Sequence, residues 1–349
     1  MKRTTRALLV LAMTAGLAGL AGTLLTPASA AAPEELLLGE LSRGAPPAVP
    51  YLEDHTIVDG SVRIDVPHRV STLVGRSGDD YLVTAFSPTG PDRLLRVRSD
   101  GTRSVVLRQE ALYGATLSPD GGTVAHAYSS RRPSTKLRVF DTATGAVLER
   151  RTVDGYASVL DYDGTVVAIG SAAPARTLAW NVTSGALTRV SGRIGSAADL
   201  ANDRLAVVTR NPYLGGCTLV TTFSDPATEL WRSCRERVEH FSTNGSRLAT
   251  VDLLADGLGP GRVWLRRTSG RLLEQYDAPY HFGTVGFEDA TDLLMNTYAR
   301  TKSAIVRCDG ATCERASRIR GYNPPLRAAR SQLEAARLAR RGPGGLEGR

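Results

Sequence analysis

The sequence predicts an all-β fold in which antiparallel sheets of four short strands repeat around a common axis. Three observations predict it. A turn flanked by apolar residues recurs at a nearly constant interval, a second kind of turn follows most copies, and apolar and polar residues alternate with period two between turns. Glycine (35) and proline (18), spread along 349 residues, suit the many short elements this requires.

The first turn reads Leu117-Ser118-Pro119-Asp120-Gly121-Gly122-Thr123-Val124-Ala125. It returns as Leu160-Asp161-Tyr162-Asp163-Gly164-Thr165-Val166-Val167, and again from Leu200 to Val207 with Asn202-Asp203 at the bend. Two further copies are Phe241-Ser242-Thr243-Asn244-Gly245-Ser246-Arg247-Leu248-Ala249 and the stretch from Phe287 to Leu294. A looser copy runs from Val74 to Val83, and the steps between copies are 40 to 46 residues. The second turn is a tight hairpin, Leu137-Arg138-Val139-Phe140-Asp141-Thr142-Ala143-Thr144-Gly145, with counterparts at 94–107, 178–187 and 263–273. Asp or Asn offers a side-chain acceptor to the turn, and Gly supplies the left-handed residue.

Each unit therefore holds four strands, a to d. One such sheet cannot bury both faces; stacking sheets around an axis does so and leaves few free edges. Six full units cover about 70–317, and the hairpin at 55–64 reads as strands c and d of a partial unit. Where the 55–66 hairpin docks decides between six and seven.

These motifs resemble those of WD40-like and TolB-like β-propellers, in particular secreted actinobacterial members of unknown role. The resemblance covers 55–317 and implies a β-propeller of four-stranded antiparallel blades, six full and a partial seventh. It is specific for fold and weak for function, because propellers carry binding modules and several enzyme classes. No blade ends in Trp-Asp, which weakens any carry-over of a eukaryotic scaffold role. No hydrolase-sized segment follows the repeats, which argues against a peptidase with a propeller lid.

Residues 1–30 read as a signal peptide: Lys2, Arg3 and Arg6 form a basic start, an apolar run follows to about Leu25, and Ala28-Ser29-Ala30 is a small-x-small cleavage site. Residues 31–50, with four prolines, are expected as a flexible lead-in, and 51–320 as the propeller. Residues 321–349 read as a basic tail, helical or disordered, with Leu326, Ala329, Leu333 and Ala336 at helical spacing among arginines. After signal removal no apolar run is long enough to span a membrane. The net charge of +8 sits at the two ends, where Lys and Arg exceed acids by three in 1–30 and by six in 318–349. The body is close to neutral, so nucleic acid is not an expected partner.

The four cysteines fall as Cys217/Cys234 and Cys308/Cys313, each pair astride a hairpin turn. In an oxidising compartment this spacing favours two disulfides. A zinc site would need all four thiols together in a reducing setting, and no metal or cofactor is expected.

The sequence holds no G-x-S-x-G elbow, no P-loop and no H-E-x-x-H. Glu239 and His240 are read as opening an innermost strand, with Asp199 and Asp161 at similar positions; such groups could act as acid and base in a channel site of lyase or glycosidase type. The plainer reading has them bonding one another or water. Asn181-Val182-Thr183 and Asn244-Gly245-Ser246 match glycosylation acceptors but coincide with the repeat's own turns.

Loops on a rigid scaffold are the better candidates. In a four-stranded blade the b–c and d–a loops share one end of the ring, which collects Arg131, Arg132, Arg176, Arg210, Tyr213, Asp256, Tyr280, His281 and Arg300. Arg and Tyr anchor interfaces, and Arg suits carboxylate or phosphate groups. The expectation is an exported, monomeric, non-catalytic module that binds a protein or polymer of the envelope or exterior. The alternative is a channel enzyme using Asp199, Glu239 and His240.

Overall fold

A computed structural model describes residues 34–66, 71–87, 90–109, 112, 114–129 and 134–322. The strands fall into seven sheets, each built on a continuous run of chain, with Glu34–Glu35 added to one of them from far upstream. Six sheets have four consecutive antiparallel strands, at 71–109, 116–154, 157–191, 194–233, 236–277 and 281–315. In the third blade, for example, Thr116–Leu117, Thr123–Ser129, Ser134–Asp141 and Val147–Asp154 pair in that order. From the second blade round to the seventh, the first strand of each blade touches the first strand of the next and so lines the axis. The result is a seven-bladed β-propeller.

The repeat turns work as their composition requires. Ser118 Oγ accepts from Thr123 N at 3.0 Å while Asp120 Oδ1 accepts from Gly122 N at 3.0 Å. Ser242 and Asn244 reproduce both bonds with Arg247 N and Ser246 N. In the hairpins, Asp141 Oδ1 accepts from Thr144 N and Asn181 Oδ1 from Ser184 N. Asn181 and Asn244 are thus turn residues. Gly121 and Gly145 take φ +71° and +73° against neighbouring-blade backbone, so both left-handed conformation and close approach require glycine. Thr142 Oγ1 then donates to the Gly121 carbonyl at 2.9 Å, tying the second hairpin to the first turn.

Apolar side chains from facing sheets fill the gaps between blades. One cluster joins Leu137, Val139 and Val153 of the third blade to Tyr162, Val167, Ile169 and Trp180 of the fourth. Trp180, Trp264 and Tyr81 are buried there or in equivalent gaps, and His126 lies buried within a second strand.

The blade at 51–65 has three strands, Tyr51–Glu53, Thr56–Asp59 and Val62–Asp65. The hairpin read from sequence gains one strand and docks between the second and seventh blades, which makes the count seven. Tyr51–Glu53 runs in the sense of a strand b and pairs only with its hairpin neighbour among the described residues. Where an innermost strand of this blade would lie, the described residues border an apolar groove of about 340 Å³ beside Leu52, Leu73, Phe287 and Met295.

The stretch expected as a free lead-in is ordered over 34–50. Glu34–Glu35 adds in parallel to the outer edge of Leu272–Asp277. Leu36 and Leu38 bury into the cluster around Tyr276, Phe282 and Val306. Arg43 then bridges Arg315, and Gly44 N donates to Arg315 O at 3.1 Å. The apolar Leu36/Leu38 pair outweighs the prolines' tendency to keep a chain free.

Both disulfides form, Cys217–Cys234 and Cys308–Cys313. Their separations of 17 and 5 residues correspond to loop-closure gains of about 3 and about 2 kcal/mol. The Cys217→Ala/Cys234→Ala pair is therefore expected to lower unfolding free energy more than Cys308→Ala/Cys313→Ala, as read by denaturant titration. The signal segment at 1–30 and the tail's helical reading lie outside the described residues.

Candidate functional site

The two candidate sites sit at opposite ends of the ring. The strand expected to open with Glu239 and His240 starts three residues earlier, at Glu236, because the preceding Cys234 hairpin closes promptly at Ser233. Glu239 and His240 therefore fall near its end, beside the a–b turns, away from the b–c and d–a loops. A bulge at Glu239 interrupts the pairing between Val238 and His240, and similar register shifts occur at Leu160 and Ser196 in the two preceding inner strands.

Asp161, Asp199, Glu239 and His240 do converge. With Ser158, Ser196 and others they line one channel cavity of about 420 Å³. The aspartates already have partners. Asp161 accepts from Tyr162 N at 2.8 Å and from Leu200 N of the next blade at 2.7 Å. Asp199 accepts from Asn202 N and Nδ2 at 3.1 and 2.8 Å. Asp161 thus ties its turn to the next blade, and Asp199 closes the turn of its own. Glu239 lies 3.4 Å from Arg237 Nε, and His240 is an exposed residue of the cavity lining. Desolvation, aided by Asp199, pushes the Asp161 carboxyl up despite its backbone bonds. Protein around His240 pushes its imidazole down, against the pull of Glu239.

At the other end, the loops present a different chemistry. Asn211 caps the short 3-10 turn Pro212–Leu214 by accepting from Tyr213 N at 3.0 Å, and Gly215 ends it with φ +77°. This turn holds Tyr213 and Leu214 outward, 70% and 71% exposed. Tyr156, Leu254 and Tyr280 are exposed by 55%, 49% and 39% on the same end. Gly155, at φ +86° against the Ala173 carbonyl, sets Tyr156 in its turn. Tyr156, Leu214 and Leu254 were not singled out from sequence; an apolar residue beside a loop glycine or aspartate is the only signal they give.

The remaining expected residues divide. Arg210 folds back on Gly215 O at 3.2 Å, and Arg176 donates to Asp154 O at 3.3 Å. Asp256 and Arg300 are exposed in their loops. His281 is only 6% exposed and stacks on Tyr298, with ring centroids 4.6 Å apart, and Tyr280 and Tyr322 meet its edges. It supports the face from beneath instead of presenting to solvent. Arg131 and Arg132 lie outside the described residues.

Burial pushes the His281 imidazole below its ordinary value. A histidine lowered in the folded state contributes stability above its unfolded value, near pH 6.5, and loses it as pH falls through the folded value. Melting temperature is expected to drop between about pH 7 and pH 5, and His281→Phe to lessen that drop. An unchanged pH profile in the variant would contradict the assignment.

No family model and no curated protein matches the chain. Solved structures do. Acylaminoacyl peptidase from Pyrococcus horikoshii is 10% identical with a TM-score of 0.54, over 82% of this chain and 54% of that one. The fold is thus that of known β-propellers. TolB from Acinetobacter baumannii is 18% identical with a TM-score of 0.45, over 66% of this chain and 61% of that one. The propeller domain of the Trilobed protease from Pyrococcus furiosus is 12% identical, TM-score 0.48, over 70% and 83%. The chain spans about three fifths of the TolB structure and about half of the peptidase. At these identities the propeller likeness carries architecture and no site residue.

Proposed function

We propose that the protein is an exported, non-catalytic binding module that engages a partner through the b–c/d–a end of the propeller. The observation that supports this reading is the set Tyr156, Tyr213, Leu214, Leu254 and Tyr280. Five of the chain's exposed large apolar side chains share that end, contributed in succession from the third blade round to the seventh. Aromatic anchors on a rigid scaffold are the usual hot spots of an interface. The partner is a protein or polymer of the envelope or exterior, met by a monomeric propeller. Export is supported by the basic-apolar-small start of the sequence and the two disulfides, and among the described residues no helix is long and apolar enough to cross a membrane.

A second reading, a lyase or glycosidase in the channel, is favoured by the cavity shared by Glu239 and His240. It is the weaker one because Asp161 and Asp199 are each engaged by two backbone or amide donors that hold turns in place, which leaves no uncommitted pair of carboxylates. Capture from envelope extract by the wild-type protein and by a Glu239→Gln/His240→Asn variant separates the readings. Equal capture of one partner is expected. Turnover of glycosides or lactones by the wild type and not the variant would establish the second reading.

A further inference from the structure

We propose that the cleft between the first and seventh blades is an anion site for a phosphate-bearing ligand. The cleft has a volume of about 430 Å³ and is lined by Arg43, Tyr51, Glu53, Arg63, Arg318 and Arg320, among others. Four guanidiniums thus face one carboxylate. That carboxylate is spent within the wall: Glu53 is half-buried and pairs with Arg63 and, at 2.7 Å, with Arg320. Arg320 also pairs with Asp54. Glu53 therefore fixes two guanidiniums in place without neutralising the cleft.

The other two are uncommitted. Arg43 is held by a backbone bridge to Arg315, and its Nη1 donates to the Arg315 carbonyl at 3.3 Å. Arg318 has no ion pair among the described residues, and both are exposed. Arg76, Arg96, Arg262, Arg266 and Arg307, by contrast, each meet a carboxylate within the protein; what sets the cleft apart is that its arginines converge on one cavity. With Asp54 counted against Arg320, a surplus of two positive charges in a cleft of this size suits a group carrying more than one negative oxygen. Guanidiniums bind phosphate through paired N–H donors, and about 430 Å³ admits a phosphorylated small molecule or one unit of a phosphodiester polymer. Tyr51 lies within electrostatic reach of Arg43, Arg63 and Arg320, and its hydroxyl, protonated at neutral pH, is a further donor. No residue of the loop end takes part, so the site stands independently of the proposed binding face.

Isothermal titration of the full-length mature protein with glycerol 3-phosphate and with a poly(glycerol phosphate), in low-salt buffer, tests this. Binding is expected, weakened by salt, and reduced at least about 10-fold by Arg43→Gln/Arg318→Gln. Arg150→Gln, an exposed arginine on another blade, is the control and is expected to bind as wild type. Both variants replace exposed side chains, and matching melting curves check that they fold. Tighter binding of the polymer per phosphate would name a phosphodiester source, and equal binding a free ester. No binding of either probe, or equal loss in the double variant and the control, overturns the proposal.

Discussion

Replacing Arg307 by Met is expected to cost about 3–5 kcal/mol of stability, among the largest effects of any single substitution outside the apolar core. All five N–H donors of this guanidinium are used. Nε donates to Glu288 at 2.5 Å, Nη1 to Glu314 at 2.7 Å and the Ala45 carbonyl at 3.2 Å, and Nη2 to Glu288 at 3.0 Å and the Pro46 carbonyl at 3.1 Å. The side chains of Arg307 and Glu288 are 13% and 6% exposed. Removing the cation leaves Glu288 buried without its ion-pair partner, and it also frees the segment from the bonds that Arg307 makes to the Ala45 and Pro46 carbonyls. Arg307→Lys is expected to be nearly as harmful, because an ammonium cannot satisfy a planar set of five acceptors. Adding Glu288→Leu to Arg307→Met should recover part of the loss, since the stranded charge goes with it. Urea unfolding gives the free energies, and hydrogen exchange over 34–48 shows whether the segment loosens first. A loss below about 1 kcal/mol would mean the pair behaves as a surface ion pair.

The triple variant Tyr213→Ala/Leu214→Ser/Tyr280→Ala is expected to weaken partner binding by about 100-fold or more while leaving stability within about 1 kcal/mol. Central aromatic anchors typically cost 2 kcal/mol or more when truncated, and these three side chains are exposed in the free protein, so the fold does not depend on them. Tyr213 and Leu214 project from a turn fixed by Asn211 and Gly215, so little ordering entropy opposes their use. Binding within threefold of wild type, measured by surface plasmon resonance, would remove the loop end from the interface.

The blades were legible because their determinants are local. Ser118, Asp120 and Gly121 close one turn by themselves, and Asp141 and Thr144 another, so spacing alone marks each sheet. The cysteine pairs were legible for the same reason. The ordered 34–50 segment was not, because its anchors lie some 240 to 270 residues away in sequence, in Tyr276, Arg307 and Arg315. No local pattern records such pairing, and four prolines suggest freedom. Asp161, Asp199, Glu239 and His240 share one cavity, but Glu239 and His240 fall near the end of their strand, not at its start. A shift of three residues moves a side chain about 10 Å along a strand, enough to exchange one end of the ring for the other. On the loop end Arg210 and Arg176 donate to backbone carbonyls while Arg300, Tyr213 and Tyr280 are exposed; whether a side chain folds back in this way depends on the path of its loop, which spacing does not record.

Hydrogen exchange of the protein alone and with its captured partner tests the central claim most directly. The account expects protection at 155–156, 212–214, 253–256 and 279–281, with no change along the inner strands. Protection confined to 158–161, 196–202 and 239–243, the lining of the channel cavity, would contradict it and place function in the channel.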